Sequence, residues 1–249
     1  MAPAPNNEGL YKALYQEVAH NLGCKLSIQR YPKKRTHRLL KSGEADLYPS
    51  TGFDNDRAQY LFYIPNGLFR YEAYFGLAPD FINNLKSISE INQYGLTWVF
   101  EAGSTTSKIA KAFKVPNKPI TKLTDSRAIT MLKNGRLIFY RIIKEDYFKY
   151  LAAHNLEDLT SLKISTHKSC CKAKSQELYT GISRKSNIYQ EEANALFNPG
   201  KPLSANNVPY KLSSSSLAYR LASEMRTMVA SGRIDALYQQ YIVAPGHTP

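Results

Sequence analysis

Acidic residues are scarce in this chain: 20 Asp and Glu stand against 33 Lys and Arg over 249 residues, a formal net charge of +13. That imbalance disfavours neutral and cationic ligands. It favours anionic partners, whether small acids, phosphates, nucleic acid or an acidic membrane surface. Cysteine is rarer still. Cys24, Cys170 and Cys171 are the three, and without a Cys-x-x-Cys spacing a zinc or thioredoxin-like centre has little support. For the adjacent pair, two reduced, partly buried thiols are expected rather than a vicinal disulfide. No apolar run reaches the ~18 residues of a membrane span. Met1–Pro5 lacks the basic and apolar regions of a signal peptide, and the expectation is a mature or trimmed chain with an added Met. There is no Ser-His-Asp constellation, metal motif or phosphate-binding loop. His20, His37, His154, His167 and His247 show no ligand spacing. No cofactor or metal is expected, and no enzyme.

What is present suits a folded α/β protein. Hydrophobic residues make up 43% of the chain, enough to bury a core. Leu10, Leu14, Val18 and Leu22 recur every four residues and predict a helix stopped by Gly23. Leu26 and Ile28 alternate with polar neighbours, as in a half-buried strand. Leu39 and Leu40 belong to a short helix ending near Gly43, followed by a short strand at Ala45–Leu47. This helix–strand rhythm argues for a parallel sheet. A second unit repeats the rhythm: a strand at Leu96–Phe100, a helix opened by Gly103–Thr106, a short strand at Ile120, a helix capped by Asp125 or Ser126, and a strand through Leu137, Phe139 and Ile142. Phe69–Leu77 and Leu178–Ser183 suit strands passing between units. Asn198–Ser216 is a surface excursion, and a last amphipathic helix carries Leu217, Leu221, Met225 and Met228. The densest basic run, Arg30–Arg38, is read as a solvated loop and first helical turn, so no nucleic-acid partner is expected.

Five segments then carry a resemblance. They are Gly9-Leu10-Tyr11 with Asn21-Leu22-Gly23; Leu40-Lys41-Ser42-Gly43-Glu44-Ala45-Asp46-Leu47; Ser50-Thr51-Gly52-Phe53-Asp54-Asn55-Asp56-Arg57 with Phe62-Tyr63-Ile64-Pro65; Glu101-Ala102-Gly103-Ser104-Thr105-Thr106; and Ser231–Tyr238 with Tyr241. In this order they make the chain resemble the polar amino-acid-binding family of periplasmic solute-binding proteins, the family 3 substrate-binding proteins of ABC transporters. The resemblance implies a two-lobed periplasmic binding protein-like (type II) α/β fold with parallel-rich sheets and a ligand cleft between lobes. Lobe 1 would be discontinuous, 1–77 and 182–249, and lobe 2 would be 78–181. It implies a monomeric extracytoplasmic receptor that hands a small ligand to a membrane permease.

By the same resemblance, Arg57 grips the ligand carboxylate, as a planar guanidinium can do bidentately. Ser50, Thr51 and Gly52 lie on its loop, Gly52 standing where the family favours a hydroxyl. Ser104, Thr105 and Thr106 offer hydroxyls and amides at a helix start. Tyr11 and Phe53 can sandwich the ligand body or simply pack in a core. Family members place an acid soon after the second lobe's Gly-Arg strand, to meet the ligand ammonium. Here that stretch reads Gly135-Arg136-Leu137-Ile138-Phe139-Tyr140-Arg141-Ile142-Ile143, with no acid before Glu145. Arg141 would repel an ammonium there, so the expected ligand is anionic, or an amino acid held atypically. Two alternatives remain: a ligand sensor signalling to a membrane partner, or a dehydratase- or hydrolase-like enzyme using Glu101, Glu145 or Asp146.

Overall fold

The computed structural model describes residues 9–70, 73–171 and 175–243. The chain forms two compact units. The first takes the chain up to Tyr31, Thr36–Arg70 and everything from Gln176 onward; the second takes Pro32–Arg35 and the stretch up to Ser175. The chain therefore passes between units after Arg70 and after Ser175, where the sequence reading put the passages after 77 and 181. Pairing accounts for both positions. The strand Tyr74–Pro79 is hydrogen-bonded wholly within the second unit's sheet, and Gln176–Ser183 wholly within the first's.

In the first unit, helix α1 (Leu10–Asn21) buries Leu10, Leu14 and Val18 on the face their spacing predicts. No strand follows: Leu26 and Ile28 lie in irregular chain, with Ile28 41% exposed. Two alternating residues beside Gly23 and Pro32 supply too little apolar surface to order a strand. Helix α2 (Lys33–Ser42) leads to β1 (Leu47–Thr51), which begins where the expected Ala45–Leu47 strand would end. A four-residue helix, α3 (Asn55–Ala58), and β2 (Leu61–Arg70) come next.

The sheet is completed from the far end of the chain. Strand β8 (Gln176–Ser183) lies between β1 and β2, antiparallel to both. One face packs Ile64, Leu68, Leu178 and Ile182 against α1, α7 (Leu217–Ala230) and α8 (Arg233–Tyr238). The other packs Leu61, Tyr63 and Tyr179 against Leu40 and Ala58. Only one strand of a small hairpin falls in the expected excursion: β10 (Tyr210–Leu212) lies within it and pairs with β9 (Glu191–Ala193), which precedes it.

The second unit is built on five strands in the order β5-β4-β6-β3-β7. They are β3 (Tyr74–Pro79), β4 (Thr97–Glu101), β5 (Asn117–Ile120), β6 (Ile138–Ile143) and β7 (Ile164–His167). Strands β5, β4 and β6 are parallel, as the helix–strand rhythm requires, while β3 runs antiparallel to β6 and β7. Val99, Ile138 and Ile142 meet α5 (Asp125–Lys133) and α6 (Lys144–Ala153) on one face. Trp98, Phe100 and Phe139 meet Ala110 of α4 (Thr106–Ala112) and the Ile88–Tyr94 turn on the other. The α5 cap is Thr124, one residue ahead of the expected Asp125 or Ser126; its hydroxyl accepts the Arg127 amide.

Cys170 and Cys171 are joined in a vicinal disulfide, not kept as thiols. Both are buried in the Trp98–Phe139 core. A Cβ at Gly76 would meet Cys170 Sγ and the Phe139 ring at 2.6 Å each, so that strand position admits only glycine. Cys24 is free and exposed.

Candidate functional site

In the first unit, the loop after β1 is organised around Asp54. Its carboxylate accepts the Asp56 and Arg57 amides at 3.1 Å each and so caps α3. The cap fixes the backbone of Arg57, whose guanidinium Nη1 donates to Thr51 Oγ1 at 3.1 Å. Thr51 is buried, and Arg57 is half-buried. Phe53 leans on Tyr63 with ring centroids 4.9 Å apart, and Tyr63 meets Tyr179 edge-on at 5.7 Å. The Tyr63 hydroxyl donates to Asp54 O at 3.3 Å. Burial holds that hydroxyl well above the usual phenol range, against the pull of the Arg57 charge, so it stays neutral. Gly52 has the Gln176 amide group where a Cβ would project, 1.9 Å away. Ser50 Oγ is shut off from solvent and has no hydrogen-bond partner among the described residues.

Tyr11 lies half-buried against the first core. One turn on, the Tyr15 hydroxyl donates to Pro49 O at 2.5 Å and bonds Thr180 Oγ1 at 2.6 Å, tying α1 to the strand that carries Ser50 and Thr51. Of the residues expected at a site, the structure thus gathers Thr51, Gly52, Phe53 and Arg57 around one short loop, with Ser50 next in sequence. Sequence reasoning missed Asp54, Tyr63 and Gln176. Asp54, three residues before Arg57 at a helix start, carried a capping signal that could have been read.

In the second unit, the parallel strands β4, β5 and β6 end at Glu101, Ile120 and Ile143. Ligands of open α/β sheets bind beyond such carboxyl ends. Gly103 takes φ +92°, which lets the chain turn from β4 into α4. The Ser104 amide is already committed to Glu101 O at 3.1 Å. Its Oγ, however, is buried with no partner among the described residues. Thr105 precedes the helix without capping it through its side chain, and is exposed; Thr106 is half-buried. Arg141 on β6 lays its guanidinium over the Tyr74 ring at 3.8 Å and lies 5.5 Å from the Trp98 ring. It is a stacked side chain, not one directed away from the sheet.

The second unit also carries acids that linear sequence does not place together. Asp125, the first residue of α5, accepts the Tyr140 hydroxyl at 2.7 Å. Burial raises the pKa of both groups; the Asp125 charge raises that of Tyr140 further, and Asp146 and Glu101 add to it. Glu101 ends β4, Asp125 begins α5 and Asp146 lies in α6. A scan for one acid at one strand position could not find a set assembled from three elements. Among the described residues, no group of three or more His, Cys, Asp or Glu side chains is placed to hold a metal ion. No helix among them is long and apolar enough to cross a membrane.

Sequence comparison with family models finds no match, and no curated protein matches either. Solved structures do. An ancestral arginine-binding protein bound to glutamine superposes with a TM-score of 0.64 at 14% identity, over 95% of this chain and 89% of that one. The fold is that of the periplasmic binding proteins. A substrate-binding protein of an amino acid ABC transporter matches this binding-protein fold with a TM-score of 0.62 at 14% identity, over 94% of this chain and 87% of its own. A histidine kinase sensor domain with similarity to periplasmic binding proteins matches at 0.64 and 14%, over 98% and 90%.

Proposed function

We propose that this protein is an extracytoplasmic solute-binding receptor for a small anionic or amino-acid-like ligand, serving an ABC transporter permease. The observation that carries the reading is Arg57: a half-buried guanidinium, held by an Asp54-capped turn and by Thr51 Oγ1, beside a ring platform of Phe53 and Tyr63. A fixed, partly desolvated guanidinium is a carboxylate site by its donor geometry. Each unit offers ligand groups of its own. The first supplies Arg57, Ser50, Thr51 and Gly52, with Phe53 and Tyr11 available to the ligand body. The second supplies Ser104, Thr105, Thr106 and Arg141 for negative groups, and Glu101 and Asp125 for a positive one. The unmet hydroxyls of Ser50 and Ser104 are of the kind that a ligand or an ordered water satisfies.

The acids soften the expectation drawn from the acid-free stretch Gly135–Ile143 and from Arg141. An ammonium does not need an acid at that strand position if Glu101 and Asp125 can serve. A zwitterionic or acidic amino acid therefore fits alongside a plain organic anion. The sensor-domain neighbour supports a second reading, in which the same capture signals to a membrane kinase. A permease and ATPase encoded beside this protein would favour transport, and a kinase would favour sensing.

The test is native mass spectrometry of freshly purified protein to identify any carried solute, followed by calorimetry with it and with L-glutamate, L-glutamine and L-arginine. Arg57→Ala is expected to weaken binding by about 100-fold, the loss of a charge-assisted bidentate pair, while the unfolding temperature of the ligand-free protein stays near wild type. Wild-type affinity in Arg57→Ala would remove the assignment.

A further inference from the structure

The second unit carries a surface depression of about 460 Å³, lined by Ala73, Tyr74, Phe75, Lys144, Phe148 and Lys168. That volume is in the range of small-molecule sites. Strand pairing explains the composition. Strand β3 begins at Tyr74, and its two antiparallel neighbours both end there: Tyr74 pairs Ile143 of β6, and Gly76 pairs His167 of β7. The first residue beyond each neighbour is a lysine, so Lys144 and Lys168 stand on either side of the start of β3. The Lys144 amide donates to Ala73 O at 2.8 Å and fixes one wall. Phe75 meets Phe148 edge-on at 6.2 Å, and Tyr147 braces both at 5.3 Å.

Two features of this depression are unspent. Phe148 is 50% exposed although its ring is held by two others. Lys144 and Lys168 are exposed, and among the described residues neither has a carboxylate within ion-pair distance. In the neighbouring helix turn, Asp146 faces Lys149 at 3.8 Å. The Arg141 guanidinium, lying on Tyr74, adds positive charge to the same end of the sheet. An aromatic wall between two ammonium groups that lack an ion-pair partner among the described residues suits one ligand chemistry: an apolar, ring-sized body bearing a negative group.

We propose that this depression is a second binding site, independent of Arg57, for a small aromatic carboxylate or similar amphiphilic anion. The exposed Phe148 ring takes the body, with Tyr74 and Phe75 lining the wall behind it, and Lys144 and Lys168 take the charge.

Ligand-observed NMR titration of the full chain with phenylacetate, 2-phenylethanol and 2-phenylethylamine tests this, because the three share a ring and differ in charge. Phenylacetate should bind tightest and the amine weakest. The double substitution Lys144→Ala with Lys168→Ala should weaken phenylacetate about ten-fold, and Phe148→Ala by about five-fold. Arg57→Ala should remove the ligand of the first site yet leave saturable phenylacetate binding that the lysine pair still weakens, which separates the two sites. All substituted side chains except Arg57 are exposed, and thermal unfolding confirms that the variants fold. Absence of saturable phenylacetate binding overturns the proposal, as does an amine that binds as well as the acid. So does phenylacetate affinity that falls with Arg57→Ala but not with the lysine pair.

Discussion

His167 shows how one buried ring can report on a whole unit. Its Nδ1 accepts the Leu85 amide at 3.1 Å, so the ring proton sits on Nε2, which is buried and has no partner among the described residues. Burial pushes its pKa below the ordinary 6.5, with Glu90 opposing weakly. The folded state therefore binds fewer protons than the unfolded state as pH falls below about 6.5. The stability this histidine permits is complete above that pH and is lost as pH drops towards the folded value. Urea unfolding of His167→Gln, compared at about pH 7.5 and pH 5.5, should show a smaller acid-induced loss than wild type; an equal loss would show that other groups set the acid sensitivity. None of this was legible in the sequence, where His167 is one of five histidines without spacing. The disulfide was equally hidden. Adjacent cysteines are compatible with either redox state, and burial beside Gly76 and Phe139 is a tertiary fact. Arg57, by contrast, stood out because its neighbours in sequence are also its neighbours in space.

At the scale of elements, α3 matters more than its four residues suggest. The turn exists because Asp54 accepts two amides, and it delivers Arg57 to Thr51. Asp54→Ala should cost about 1 kcal/mol of stability, as lost caps do, and should also weaken the Arg57 ligand several-fold by calorimetry. Lost stability with unchanged affinity would show that Thr51 and packing alone hold the guanidinium. Helices with a full apolar stripe, such as α1 and α7, were readable because the 3.6-residue period runs through three or more turns. Short strands were read unevenly: β4, β6 and β8 lie close to their expected spans, whereas Leu26 and Ile28 alternate correctly yet never pair, because pairing is decided by partners elsewhere in the chain. Glu101 and Asp146 were named as acids in the sequence, but their gathering with Asp125 around Tyr140 was not legible there. Each belongs to a different element, and only the packing of β6 against α5 and α6 assembles them.

At the scale of the molecule, the formal charge of +13 acts on encounter more than on fold. Stopped-flow association of an anionic ligand should slow several-fold as salt is raised from about 0.05 to 0.5 M, while a neutral analogue should hardly change. Salt-independent capture of the anion would mean that the field near the site is already balanced. The architecture itself was legible from five ordered segments, although no family model detects them and structural matches share only 14% identity. Order along the chain survived where residue identity did not, since the fold constrains the sequence of elements more tightly than the side chains on their surfaces.

The first unit's sheet has the strand order β1-β8-β2, with its central member drawn from residues 176–183. On the ribosome, that unit's opening segments emerge first but cannot be completed first. Strands β1 and β2 have no direct pairing and must wait until the entire insertion has been made. The second unit has nearly all of its residues by Ser175 and can fold while the chain is still growing. A nascent chain stalled near that point would hold a finished insertion flanked by two bare strand edges. Synthesis order and folding order are thereby opposed, so the first unit is the one exposed to chaperones before its central strand arrives.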